Sequence, residues 1–270
     1  MSEKTQRPGD EASPPPPAIE MRGVTAGAMR DLSFTVVEGA SWTVAPGEFW
    51  VIAGPQHSGK SDFLMLTAGL MPPVQGSCRL FGAETQSFGE AGLADRLRVG
   101  LVFEGGQLFN RLTIRENVAL PLQYHRDMPV ADAAAEVQTL LDLLELTPLA
   151  DITPPSVSDN WRQRAALARA LVLRPELLLL DNPFGRLGGR HLHWWQRFLD
   201  QLGQGHRWCG GRPMTLVATA DDLRPWPGAN RKFALLHEKQ FTPLGAWDRV
   251  MAAGDPVVKE LLAVPVEAIL

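Results

Sequence analysis

Cysteine is scarce: the 270 residues hold two, Cys78 and Cys209. They lie far apart without metal-ligand spacing, so they read as buried or incidental thiols of a cytosolic chain. Positive charge is in no excess either. Lys and Arg number 26 against 30 Asp and Glu, a net charge of -4, which leaves no basic face to neutralise phosphates and makes nucleic acid an unsuitable partner. No uninterrupted apolar run approaches the roughly 18 residues that span a bilayer, so any work at a membrane is expected to go through a partner. The opening "MSEKTQRPGDEASPPPP", residues 1–17, lacks the apolar stretch of a signal peptide and reads as a flexible, proline-rich tail. No internal repeat is evident.

What the chain does have is 45% hydrophobic residues, enough to bury a sizeable core. "AIEMRGV" and "LSFTVVEGASWTV" alternate like antiparallel strands, and "GEFWVIAG" is a short apolar run ending in glycine. The helical spacing of "KSDFLMLTAGL" follows and stops at the turn "MPPVQGS". "SCRLFGA" and "RVGLVFE" read as strands, "PVADAAAEVQTLLDLLEL" as part of a helical insertion, and "WRQRAALARALVLRP" as an amphipathic helix leading into "LLLLD". "MTLVATADDL" reads as a strand, "RKFALLHEKQFTPLG" as a hairpin, and "AWDRVMAAGDPVVKELLAV" as a closing helical segment.

One motif carries chemistry. "GPQHSGKS", Gly54, Pro55, Gln56, His57, Ser58, Gly59, Lys60 and Ser61, follows an apolar strand and opens a helix, so its backbone N–H groups and the helix dipole can face an anion. Lys60 would reach the β and γ phosphates of a nucleotide, and the Ser61 hydroxyl would coordinate magnesium. Asp62 suits the first helical turn but would repel the α phosphate. The leucine run ending in Asp181 delivers a carboxylate in the manner of a magnesium site, and the next residue is Asn182.

The order of these motifs resembles the ATP-binding subunits of ABC transporters from about Ile19 to Gly245. "GPQHSGKS" is similar to the Walker A loop, "LLLLD" to the Walker B strand, and "RQRAALARAL" to the helix after the family signature. "LVFEGGQLFNRLTIRENVALPL" and "AGDPVVKELL" look like segments of the Mla-type subunits that drive phospholipid traffic. The resemblance implies ATP and magnesium as cofactors, head-to-tail pairing with itself or another ABC subunit, transmembrane permease partners, and a peripheral place on the cytoplasmic face of the membrane.

It also implies that several catalytic positions are altered. Asp181 keeps the magnesium carboxylate, but Asn182 replaces the glutamate that polarises water, and an amide cannot take that proton. Ala220 stands at the switch histidine, Gly188 at the D-loop aspartate and Glu104 at the Q-loop glutamine, where it could still touch the ion. The signature reads "VSDNW": Ser158 keeps its hydroxyl, while Asp159 and Asn160 replace glycines and Asp159 would face phosphate. Ala28 falls where an aromatic ring should meet adenine; Phe34 lies nearby and reads as core. His191 and His193 read as surface helix residues, Trp194 and Trp195 as packing, and Asp221 and Asp222 as turn formers without chemistry.

The expected fold is therefore an α/β P-loop domain of ABC type, with a mixed-sheet core, an antiparallel β subdomain and a helical subdomain inserted at 105–164. The nucleotide-binding domain should occupy 18–245 and a helical extension 246–270. The expected function is an ATP-binding transporter subunit with weak or absent hydrolysis. The alternative is a non-hydrolysing structural or regulatory partner of an active subunit.

Overall fold

The computed structural model describes residues 15–85, 93–185 and 187–263. Most of the expected tail and the last seven residues of the expected C-terminal extension lie outside them. Among the described residues the chain opens with two antiparallel strands, β1 (Ile19–Ala28) and β2 (Asp31–Val44), followed by β3 (Phe49–Ala53) and helix α1 (Lys60–Thr67). Next come β4 (Gln75–Leu80), β5 (Ala83–Glu84), a short α2 (Leu93–Arg96) and β6 (Val99–Val102). Helices α3 (Ile114–Arg126), α4 (Val130–Leu143) and α5 (Asp159–Leu171) then lead to β7 (Leu177–Leu180) and α6 (Gly189–Gly205). Strands β8 (Thr215–Ala220), β9 (Arg231–His237) and β10 (Gln240–Ala246) precede two last helices, α7 (Trp247–Ala252) and α8 (Pro256–Leu262).

The strands form a four-stranded antiparallel sheet, β2-β1-β4-β5, and a six-stranded mixed sheet, β10-β9-β3-β8-β7-β6. Strand β7 explains the layering. All four leucines are fully buried and pair in parallel with β6 and β8, as a strand covered on both faces requires. Because side chains alternate, Leu178 and Leu180 enter one core with α3, α5 and α6, while Leu177 and Leu179 enter a second. The second core holds Phe63, Leu64 and Leu66 of α1 together with Ile19, Met21, Val37 and Trp42 of the antiparallel sheet. Helix α1 is thus gripped between the two sheets, and the loop before it is held from both sides.

The closing segment departs from a single helix. Gly254 takes a left-handed φ of 65°, and Asp255 caps α8 by accepting from the N–H groups of Val257 and Val258 at 2.8 and 3.2 Å, with Pro256 at the first helical position. Those residues stop one helix and start another.

Candidate functional site

The loop between β3 and α1 is shaped by two glycines. A Cβ on Gly54 would stand 2.3 Å from the Leu236 carbonyl oxygen, and one on Gly59 would stand 2.7 Å from Cβ of Val36. Gly59 also has φ 91°, and His57 shares the left-handed region at 62°, a conformation that turns successive N–H groups inward. Strand register places the loop: Ala53 pairs with Ala220 of β8, and the Gly54 N–H donates to the Ala220 carbonyl at 3.1 Å.

Lys60 is only 8% exposed. Its Nζ donates to the carbonyls of Gly54 and Pro55 at 2.7 and 2.6 Å and reaches Ser58 Oγ at 3.4 Å. Burial lowers the lysine pKa, opposed by the carboxylates of Asp221, Asp181 and Glu104 in that order. The Ser61 hydroxyl donates to Asp181 Oδ1 at 3.0 Å, and Thr219 Oγ1 donates to the same oxygen at 2.8 Å. Strand β7 brings the carboxylate, α1 and β8 the hydroxyls.

These groups line a cleft of about 520 Å³, walled by residues 56–62, by Ala28, Phe34 and Val36 from the hairpin, and by Glu104, Asp181, Asn182 and Asp221 from strand ends. Four carboxylates, Asp62, Glu104, Asp181 and Asp221, therefore line a cleft with one lysine. A polyphosphate enters such a cleft only with its charge neutralised by a cation. Among the described residues no three His, Cys, Asp or Glu side chains form a metal cage. Magnesium keeps several waters and shares its shell with phosphate oxygens. Ser61 and Asp181 supply the adjacent oxygen donors it would need.

Several residues sit otherwise than the sequence suggested. Phe34 is not core: it is 63% exposed and lies along the cleft. Asp62 accepts from the Met29 N–H at 2.8 Å, so its carboxylate anchors the β1–β2 turn as well as occupying the first helical turn. Asp221, assigned no chemistry, lines the cleft and accepts from Asn182 Nδ2 at 3.3 Å. Asn182 Nδ2 also donates to Glu104 Oε1 at 3.2 Å. Nothing in a single sequence pairs residues 104, 182 and 221; the parallel order of β6, β7 and β8 does.

The signature residues are not part of this cleft. Ser158 is the N-cap of α5 but makes no side-chain cap bond, Asp159 is ion-paired with Arg162, and Asn160 Oδ1 is buried without a partner. The Asp159 charge is thus partly neutralised within its own helix. Arg164, 2% exposed, is bonded to Glu145 at 2.7 Å, with its guanidinium 4.6 Å from the Trp161 ring and 3.7 Å from the Trp194 ring. His191 completes this cluster edge-on to Trp161, so it is more than a surface histidine. Gly188 is the N-cap of α6, with open space where a side chain would be.

A loop of this shape between a parallel strand and a helix, backed by a buried lysine and a hydroxyl–carboxylate pair, defines a P-loop nucleotide-binding domain. The ABC transporter family model matches residues 37–185, more than half of the chain, and the protein belongs to that family. The sulfate/thiosulfate import ATP-binding protein CysA of Synechococcus elongatus is 39% identical over 163 residues, covering 60% of this chain and 44% of the relative. The protein of the same name from Methylococcus capsulatus is 36% identical over 191 residues, covering 70% and 53% respectively. The chain thus spans about half the length of these relatives. The ATP-binding cassette MJ0796, solved as a dimer in a post-hydrolysis state with ADP and Pi, superposes with a TM-score of 0.71 at 25% identity, covering 85% of this chain and 100% of that one. The fold is the α/β ABC ATPase fold. The relatives named here are sulfate/thiosulfate import proteins, whereas the sequence motifs suggested Mla-type ones.

Proposed function

We propose that this chain is the ATP-binding subunit of a membrane ABC transporter, one that binds magnesium–ATP and cleaves it slowly. The observation that carries the reading is the 3.0 Å contact of Ser61 Oγ with Asp181 Oδ1 beside the buried Lys60, next to an amide at Asn182. The backbone N–H groups of residues 56, 57 and 59–61 would bind the phosphates, and Lys60 would exchange its loop carbonyls for phosphate oxygens. Ser61 and Asp181 would hold the magnesium ion, which supplies charge neutralisation to the leaving diphosphate. Phe34 offers the exposed ring against which a base can stack. Asn182 donates hydrogen bonds but cannot accept a proton from water.

The same reading takes a nucleotide-binding domain over 18–245 with its helical subdomain at 105–164, and an extension from 246. Among the described residues no helix is long and apolar enough to cross a membrane, so permease subunits would anchor the chain on the cytoplasmic face. A second ABC subunit would present its signature to this cleft. The names of the relatives favour import of a small oxyanion over lipid traffic. A non-hydrolysing structural partner is the second reading, favoured by the four carboxylates of the cleft. Titration of the full chain with labelled ATP and magnesium separates the two. Saturable binding tighter than about 1 mM, lost in Lys60→Ala, supports the nucleotide-binding subunit, and its absence supports the structural partner.

A further inference from the structure

We propose that Asp221 is the carboxylate that activates water in this cleft, and that Asn182 is the residue that positions it. The inference rests on the nucleotide-binding reading above. Asp221 directly follows β8, the immediate neighbour of the strand that carries the phosphate loop, and the Ala53–Ala220 pairing fixes it one residue beyond that register. It is half-buried and lines the cleft. The other acids are differently placed. Asp181 Oδ1 accepts from two hydroxyls, Ser61 and Thr219, at 3.0 and 2.8 Å. Asp222 is taken by Arg224 through contacts of 2.6–3.1 Å. Glu104 is exposed and follows β6, the edge strand, three places away from β3 in the sheet.

Asn182 has the geometry of a two-armed clamp. Its Nδ2 donates to Asp221 Oδ2 at 3.3 Å and to Glu104 Oε1 at 3.2 Å, while its backbone N–H donates to Thr219 Oγ1 at 2.8 Å. The left-handed φ of 41° aims the amide across Gly185, where a Cβ would stand 2.3 Å from Nδ2. An amide with two N–H groups can hold two like charges side by side; a carboxylate at the same position would add a third negative charge. In the step assigned here a water oxygen bonds to the terminal phosphorus and passes a proton to an Asp221 oxygen. The bond from that phosphorus to the bridging oxygen breaks, its electron pair staying on the diphosphate, and Asp221 then releases the proton to solvent.

Single-turnover cleavage of γ-labelled ATP with magnesium by the full chain, run beside nucleotide binding, tests this. Asp221→Asn, which keeps an acceptor for Asn182, should slow cleavage about a hundredfold at nearly unchanged affinity. Asp222→Asn should keep the parent rate, and Asn182→Ala should lower the single-turnover rate while leaving the affinity in place. Cleavage by Asp221→Asn within about threefold of the parent, or a loss matched by lost binding, overturns the assignment. A parent that binds ATP but cleaves it no faster than Lys60→Ala overturns it too, and leaves the nucleotide-binding reading standing. A parent that binds no ATP removes both.

Discussion

Asp62 shows how one side chain serves two structures. Its carboxylate sits in the first turn of α1 and accepts from the Met29 N–H of the β1–β2 turn. Asp62→Ala is therefore expected to lower stability in urea unfolding by about 1 kcal/mol, while Asp62→Asn, which keeps the acceptor, should stay near the parent. Phe34 makes the opposite case. Being 63% exposed, it has little core to lose, so Phe34→Ala should leave the melting temperature unchanged and weaken ATP binding by about 0.5–1.5 kcal/mol, the worth of an aromatic contact. The loop between β3 and α1 was legible as a glycine-bearing turn because Gly54 and Gly59 are demanded by its backbone shape. Phe34 was not, because alternation in "LSFTV" does not say which face of a hairpin strand is covered. Asp221 was not, because its partner Asn182 is 39 positions away in the chain.

At the scale of elements, buried polar residues hold the loop that carries Glu104. Asn117 on α3 is fully buried; its Oδ1 accepts from the Phe109 N–H at 2.8 Å, and its Nδ2 donates to the carbonyls of Phe109, Leu112 and Thr113. Asn117→Ala strands these groups and should cost about 1–3 kcal/mol, read by chemical unfolding. The capping box of Thr113 with Glu116 is a local pattern, whereas the role of Asn117 depends on the path of a loop. The α5–α6 contact carries a pH dependence. Burial first, then Arg164 and Arg190, lower the His191 pKa, with Glu145 opposing. The folded state thus prefers neutral imidazole. Its contribution is complete above the unfolded value of about 6.5 and is lost as pH falls through the lower folded value. His191→Gln should narrow the difference in melting temperature between about pH 7.5 and about pH 5.

For the molecule as a whole, strand type was more legible in the sequence than function. The alternation of β1 and β2 read as antiparallel strands, the mixed-sheet core came with the family resemblance, and the structure has both. The break between α7 and α8 was hidden within an apolar pattern that ran across Gly254 and Asp255. A few polar contacts at the carboxyl ends of β3, β7 and β8 bring a buried lysine, a hydroxyl–carboxylate pair and the amide of Asn182 to one cleft. The most direct test is to mix the full chain with ATP and magnesium, isolate the bound nucleotide after several minutes and identify it. The structure predicts that most of it is recovered as ATP and that Lys60→Ala retains none; recovery mainly as ADP, or equal retention by Lys60→Ala, would contradict the account.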